Sequence, residues 1–426
     1  MRIAHVYPHS VISVAPPRIT DALGVVNYEI ARRLARDHSV VVYSRQQRGL
    51  PTVEQHEGVV WSRIPVGVDR ALNSLKFLDA LRLSPRSRPY RFSSLYYTSF
   101  AHTVAQDIRA RQCEIVHIHG ITNFITAVRH RNPDACIVLH VHDHSLADFD
   151  ADLIGSRLRD AALILACSDH VAEGIRQRFP DAASRCHTLH NGVDEAFLQL
   201  ATKPVESDTV LFVGRVAPEK GVSVLLEAFA EVAKRKPAAD LRMVGPFDFA
   251  PRQFVDPFDK DPVLAPVRRF CNDPAAFRAH VLKTVQALAP RVRMEGVVPN
   301  MEMRRHYEQA GVFVFPSVWH EPFGIPLIEA MAAGLPVVTT RGGAASEVVI
   351  DGETGFLVNR GDVSSLASAV CTLLNDPDLR RRMGLAGRDR VARLFTWNRA
   401  VAKLNHLYER AWAACDAGRR SRKGAA

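Results

Sequence analysis

The chain has 426 residues, 47% hydrophobic and 23% charged, which is enough for two globular domains with separate cores and too apolar for disorder. Its net charge of +10 invites a nucleic-acid reading, but basic residues are mostly interspersed with acidic ones. No recognition-helix, RNA-binding or zinc-finger pattern is present, so a basic nucleic-acid-binding protein is the weaker alternative and no nucleic-acid partner is expected.

Met1 to Pro8 reads as a short strand ending at a proline, without the apolar core and cleavage site of a signal peptide. Apolar stretches such as Ala161 to Cys167 and Gly311 to Phe315 fall well short of the roughly 18 to 20 residues of a membrane span, so a cytoplasmic protein is expected. Strands are predicted at Ile3 to Tyr7, Ser39 to Tyr43, Ile115 to His119, Ile137 to His142 and Leu163 to Ala166, alternating with helical patterns. Within this half, Arg82, Arg86, Arg88 and Arg91 interleave with Phe92, Tyr96 and Tyr97. That cluster reads either as a solvated face or as a surface for an anionic acceptor or an acidic membrane, which would make the protein peripheral at the inner membrane surface.

Gly192 to Glu206 lacks periodicity and is read as a linker between domains at 1–195 and 205–395. The second half predicts strands at Thr209 to Val213, Leu241 to Val244, Val292 to Glu295, Val312 to Phe315, Pro336 to Thr339 and Phe356 to Val358. The proline-rich 246–290 segment reads as an insertion over the sheet's edge, with one helix near Ala275 to Leu288. An amphipathic helix, Trp397 to Trp412 within 396–416, is free to pack back across the first domain, and 417–426 reads as a basic flexible tail. Seven cysteines without a Cys-x-x-Cys pair give neither a disulfide framework nor a zinc pattern. The alternation throughout implies an α/β protein built from parallel sheets.

In such sheets ligands bind beyond the carboxyl ends of the strands. After Val213 comes Gly214-Arg215-Val216-Ala217-Pro218-Glu219-Lys220-Gly221, where Arg215 and Lys220 are expected to converge beside a helix start and suit a pyrophosphate. After Phe315 the run Pro316 to Pro336 places Glu321 in a loop and Glu329 in the first turn of a short helix that begins at Pro326. Amides near Phe323, Gly324 and Ile325 lie at the positive end of that helix and suit phosphate. One carboxylate is then available for ribose hydroxyls and the other for sugar hydroxyls.

Together with His190-Asn191-Gly192-Val193-Asp194, Gly342-Gly343 through Glu347, and Asp351-Gly352-Glu353-Thr354-Gly355, these segments resemble the large glycosyl transferases group 1 family. The resemblance implies two facing Rossmann-like domains of the GT-B type with an interdomain cleft. It implies a nucleotide-sugar donor, UDP- or GDP-linked, as co-substrate, with no cofactor and no metal, and an acceptor that is a glycan, lipid or natural product. By the same resemblance Arg215 and Lys220 contact the pyrophosphate, Glu329 the ribose and Glu321 the donor sugar, while backbone near Val298 holds the base. An epimerase or hydrolase acting on a nucleotide sugar is the alternative enzyme.

The first half carries His117-Ile118-His119-Gly120 and His140-Val141-His142-Asp143-His144 at strand ends. Residues two apart on a strand share a face, so a metal cluster is open by spacing, but no Cys or Glu accompanies it. The resemblance instead places His142 and Asp143 at the cleft, with His142 facing the donor sugar. His119 is open as either a site residue or a structural histidine. Where the family has a Gly-Gly loop before the first helix, this chain has Thr20-Asp21-Ala22-Leu23-Gly24, and Gly24 is taken as the remaining glycine. The most specific groups, Arg215, Lys220, Glu321 and the amides near Gly324, cluster on the diphosphate side, which predicts a retaining transfer; inversion with Asp143 or another first-domain carboxylate as base is the alternative.

Overall fold

The central strands of the first sheet are buried at every position, as strands covered by helices on both faces require. The computed structural model describes residues 1–8, 13–14, 17–18, 22–81, 83–85, 87–200, 207–249 and 261–424. They form two compact units, 1–191 with 397–426 and 192–396. Four helices bear on the argument: α1 (Ala22–Leu34), α2 (Val222–Arg235), α3 (Ile325–Ala332) and α4 (Trp397–Gly424).

The large sheet of the first unit has strands β1 (Arg2–Val6), β2 (Ser39–Arg45), β3 (Val53–His56), β4 (Val59–Ile64), β5 (Ile115–His119), β6 (Cys136–Val141), β7 (Leu163–Ala166) and β8 (Cys186–Thr188). Their order is β8-β7-β6-β5-β1-β2-β4-β3, with β3 antiparallel to β4 and the other pairs parallel. The sequence reading missed β3, β4 and β8. The β3–β4 hairpin turns on Glu57 and Gly58, both with positive φ (48° and 78°). That two-residue turn usually carries Asn or Asp in its first position, and a glutamate there hides the signal.

Helix α4 belongs to this unit. Arg33 Nε of α1 donates to Asn398 Oδ1 at 3.0 Å, and Tyr408 bonds His117 of β5. Beyond Trp412 the helix continues to Gly424, where a flexible tail was expected. Its last turns are stitched by Asp416 to Arg420 at 2.8 Å, and Arg419 stacks 4.2 Å from the Trp412 ring centre.

The second unit's strands are β9 (Thr209–Val213), β10 (Asp240–Val244), β11 (Val292–Gly296), β12 (Val312–Phe315), β13 (Val337–Thr340) and β14 (Gly355–Val358). All pair in parallel, in the order β11-β10-β9-β12-β13-β14, which is the Rossmann arrangement. Among its described residues the expected insertion supplies two helices, Ala265–Asn272 and Pro274–Ala287, rather than one. Leu264 and Val267 pack on Val318 of the loop after β12, so the segment braces that loop. Residues 250–260 of the insertion and 201–206 of the linker lie outside the described residues. Among the described residues no helix is long and apolar enough to cross a membrane.

Candidate functional site

The chain runs from β9 toward β10 and from β12 toward β13, so these adjacent strands diverge beyond Val213 and Phe315. Such a fork is where open α/β sheets bind ligands. Residues 214–221 and 316–324 both spring from it. Val318 N donates to Glu219 O at 3.0 Å, tying one loop to the other. Gly221 makes that approach feasible, because it sits at φ +71° and a Cβ there would lie 1.9 Å from Pro316 O.

Between the loops Lys220 Nζ donates to both Glu321 oxygens, at 3.0 and 2.8 Å. Glu321 Oε2 also accepts from Ser317 Oγ at 2.8 Å and Trp319 Nε1 at 2.9 Å. The ammonium lies 4.8 Å from the Trp319 ring centre and 5.4 Å from that of Phe315. Burial works to raise the Glu321 pKa, but the Lys220 charge and the three donors outweigh it and hold the carboxylate below its ordinary value. Arg215 Nη2 pairs with Glu219 Oε1 at 2.7 Å, and its Nη1 donates to Asp248 O at 3.2 Å. The two cations therefore do not converge as a bare pair. Each is matched to its own carboxylate, since a largely buried cation without a counter-charge is costly. Glu219, Ser317 and Trp319 were not singled out from the sequence; Glu219 in particular was legible as the one acid between Arg215 and Lys220.

Gly343 fixes the glutamate's backbone. It has φ +61°, a Cβ there would lie 2.1 Å from Glu321 O, and Ala344 N donates to that same oxygen at 2.8 Å. Helix α3 opens at Gly324, φ 89°, with no side-chain cap, so its N-terminal amides form the positive end of the helix. Ile325 is its first residue and Pro326 its second, which moves Glu329 from the first turn to the second. The left-handed Gly324 starts the helix one residue earlier than the proline suggested. Phe323 is a core side chain, edge-on to Phe395 at 5.9 Å, and offers only its backbone. Glu329 Oε2 accepts from Tyr307 Oη at 2.7 Å, a buried partner that periodicity did not flag. Burial pushes the Glu329 pKa up to about 7 despite that hydrogen bond. Val298 is half-buried in the loop after β11, leading into the helix that carries Tyr307.

In the first unit, register gathers five histidines on one face: His5 pairs with His117, His119 with His140, and the two-residue period adds His142 just past β6. His5 was missed by the sequence reading, although its place in β1 was visible. His5 Nδ1 lies 3.2 Å from His119 Nε2, and His119 Nδ1 lies 3.1 Å from His142 Nε2. Burial depresses all five basicities; His142 is pulled down to about 4, with Asp143 opposing. Asp143 is half-buried, and its Oδ1 accepts from Ser145 N at 2.8 Å. Gly24 is buried in the first turn of α1 rather than in a loop ahead of it, because the helix already begins at Ala22; Thr20 and Asp21 lie outside the described residues. The basic cluster is partly neutralised: Arg88 pairs with Asp150 at 2.8 Å and Arg91 lies 4.0 Å from Asp143, while Arg82 and Arg86 fall outside the described residues.

Known proteins carry the same organisation. The model of glycosyl transferases group 1 matches residues 194–390, the half that holds both loops of the fork, and that of glycosyltransferase family 4 matches 23–197. Residues 194–390 belong to the glycosyl transferases group 1 family, and the two models together span 23–390. Family membership makes the chain a glycosyltransferase, as the motifs implied. Spore coat protein SA of Bacillus subtilis is 26% identical over 329 residues, covering 73% of this chain and 82% of that protein. The GDP-mannose-dependent alpha-(1-6)-phosphatidylinositol monomannoside mannosyltransferase of Mycolicibacterium smegmatis is 30% identical over 292 residues, 66% of this chain and 64% of that one. The crystal structure of Anabaena HepE with UDP and glucose has a TM-score of 0.69 at 17% identity, over 96% of this chain and 99% of that one, a likeness of GT-B fold.

Proposed function

We propose that this glycosyltransferase moves a sugar from a nucleotide diphosphate, UDP- or GDP-linked, to an acceptor hydroxyl with retention of configuration and without a metal. The observation that carries this reading is the Lys220–Glu321 pair, set with Arg215 at the fork of β9 and β12 near an uncapped helix end. On donor binding the diphosphate takes Lys220 and Arg215 as its counter-charges, and the α3 amides near Gly324 and Ile325 complete its shell. Each such donor is worth about 2 to 4 kcal/mol at the barrier as charge develops on the leaving phosphate. Glu321, released in part from Lys220, holds sugar hydroxyls; Glu329 takes the ribose and backbone near Val298 the base. His142 orients the donor sugar, with His119, Asp143 and the first-turn amide of Gly24 as supporting groups of the first unit. The positive charge at the fork does the work a divalent ion would otherwise do. The base stays open between UDP, named with the HepE structure, and GDP, named with the mycobacterial relative.

The test is proton NMR of the first-formed product from an α-linked donor, run in excess chelator over a panel of hydroxyl acceptors. An α-linked product is expected. A β-linked product contradicts retention, and transfer that appears only after manganese or magnesium is added contradicts metal independence. Free or isomerised sugar formed equally fast without acceptor would turn the reading toward a hydrolase or epimerase.

A further inference from the structure

We propose that His5 and His119 are positioning residues, which form with His142 a chain of two N–H···N hydrogen bonds that fixes a single ring tautomer on His142. The proposal rests on the reading of His142 as the group that orients the donor sugar. The two contacts measure 3.2 Å (His5 Nδ1 to His119 Nε2) and 3.1 Å (His119 Nδ1 to His142 Nε2). The matching ring centres lie 5.4 and 5.3 Å apart, longer by about two ring radii. The nitrogens therefore face one another. Each contact lies at hydrogen-bond distance.

A neutral imidazole has one N–H and one lone pair. Burial keeps all three rings neutral, so both hydrogen bonds must run in the same direction along the chain. If His5 donates, His142 ends with its proton on Nδ1. If His142 donates, its proton is on Nε2 and Nδ1 presents a lone pair. The choice is made at the far end. His5 Nε2 and both side-chain polar atoms of Asn27, buried on α1, have no hydrogen-bond partner among the described residues. Asn27 acts against burial to raise the His5 pKa, and we take its amide oxygen as the atom that faces a His5 N–H. With the His5 proton on Nε2, its Nδ1 accepts from His119 Nε2, and His119 Nδ1 accepts from His142 Nε2. His142 Nδ1, which is buried and has no partner among the described residues, keeps the lone pair.

The experiment uses the full chain with ¹⁵N-labelled histidine rings, His142 being assigned by the signal lost in His142→Gln. Long-range proton–nitrogen spectra of the wild type should show one tautomer at His142, protonated on Nε2. His5→Phe keeps a flat ring but removes Nδ1; it should give mixed tautomers at His142 and lower kcat about tenfold. The donor KM should stay within about twofold. His5→Asn places an amide where Nδ1 was and should restore both the single tautomer and most of kcat. A His142 proton on Nδ1 in the wild type, a mixed wild-type signal, or an unchanged kcat in a folded His5→Phe would overturn the proposal. Stoichiometric zinc on the histidines of the purified protein would do the same. The tautomer is read without any sugar donor, so it separates failure of the hydrogen-bond chain from failure of the transferase reading. It also stays decisive in the wild type if a variant does not fold.

Discussion

Glu321 and Glu329 sit on one segment, and their surroundings push them in opposite directions. Burial acts on both, but against it Glu321 has the charge of Lys220 and hydrogen bonds from Lys220, Trp319 and Ser317, whereas Glu329 has the hydrogen bond from Tyr307. The Glu329 pKa is raised from 4.5 to about 7, so its contribution to stability is full below the unfolded value and is lost as pH rises through about 7. Glu321 has the opposite sign: its contribution is present above the ordinary carboxylate pKa and lost as pH falls through its depressed value. Glu329→Gln keeps an acceptor for Tyr307 but cannot ionise. Its Tm should therefore fall less than that of the wild type between about pH 5 and about pH 8. Parallel curves would show that Glu329 is not held near neutrality. The types of these residues were legible in the sequence, and their partners were not, because Lys220 and Glu321 lie 101 positions apart and Tyr307 and Glu329 belong to different helices.

Among the elements, the strands of the second sheet were the most legible, since β9 and β12 are near-continuous apolar runs of the kind a covered parallel sheet needs. The start of α3 was off by one position because a left-handed glycine leaves no mark in a hydrophobic pattern. The length of α4 was underestimated because its basic end has the composition of a tail, while the contacts that keep it helical are local pairs. The turn at Gly343 was seen only as part of a motif, and its physical role is to let the backbone of Glu321 pass. Gly343→Ala adds a Cβ at 2.1 Å from Glu321 O and strains φ, so it should cost about 1 to 3 kcal/mol in chemical denaturation. It should also raise the donor KM, because it displaces the carboxylate that holds Lys220. Unchanged stability and KM would mean the turn does not set the glutamate's position.

At the scale of the whole molecule, the site comes from strand order, which no periodicity reveals. β9 and β12 are separated by two strands in sequence and become neighbours only through pairing, and their divergence opens the fork that Arg215 and Lys220 border. The net charge of +10 says little about it, since the cations that matter are the ones matched to buried carboxylates. The central claim is that this fork binds the diphosphate of a sugar donor. Calorimetric titration of the wild type and a folded Arg215→Ala, Lys220→Ala double variant with UDP and GDP tests it most directly. The wild type should bind one of the two nucleotides, and the double variant should bind it at least about a hundredfold more weakly, the loss of two charge-assisted contacts. Equal affinity in the two proteins would contradict the account.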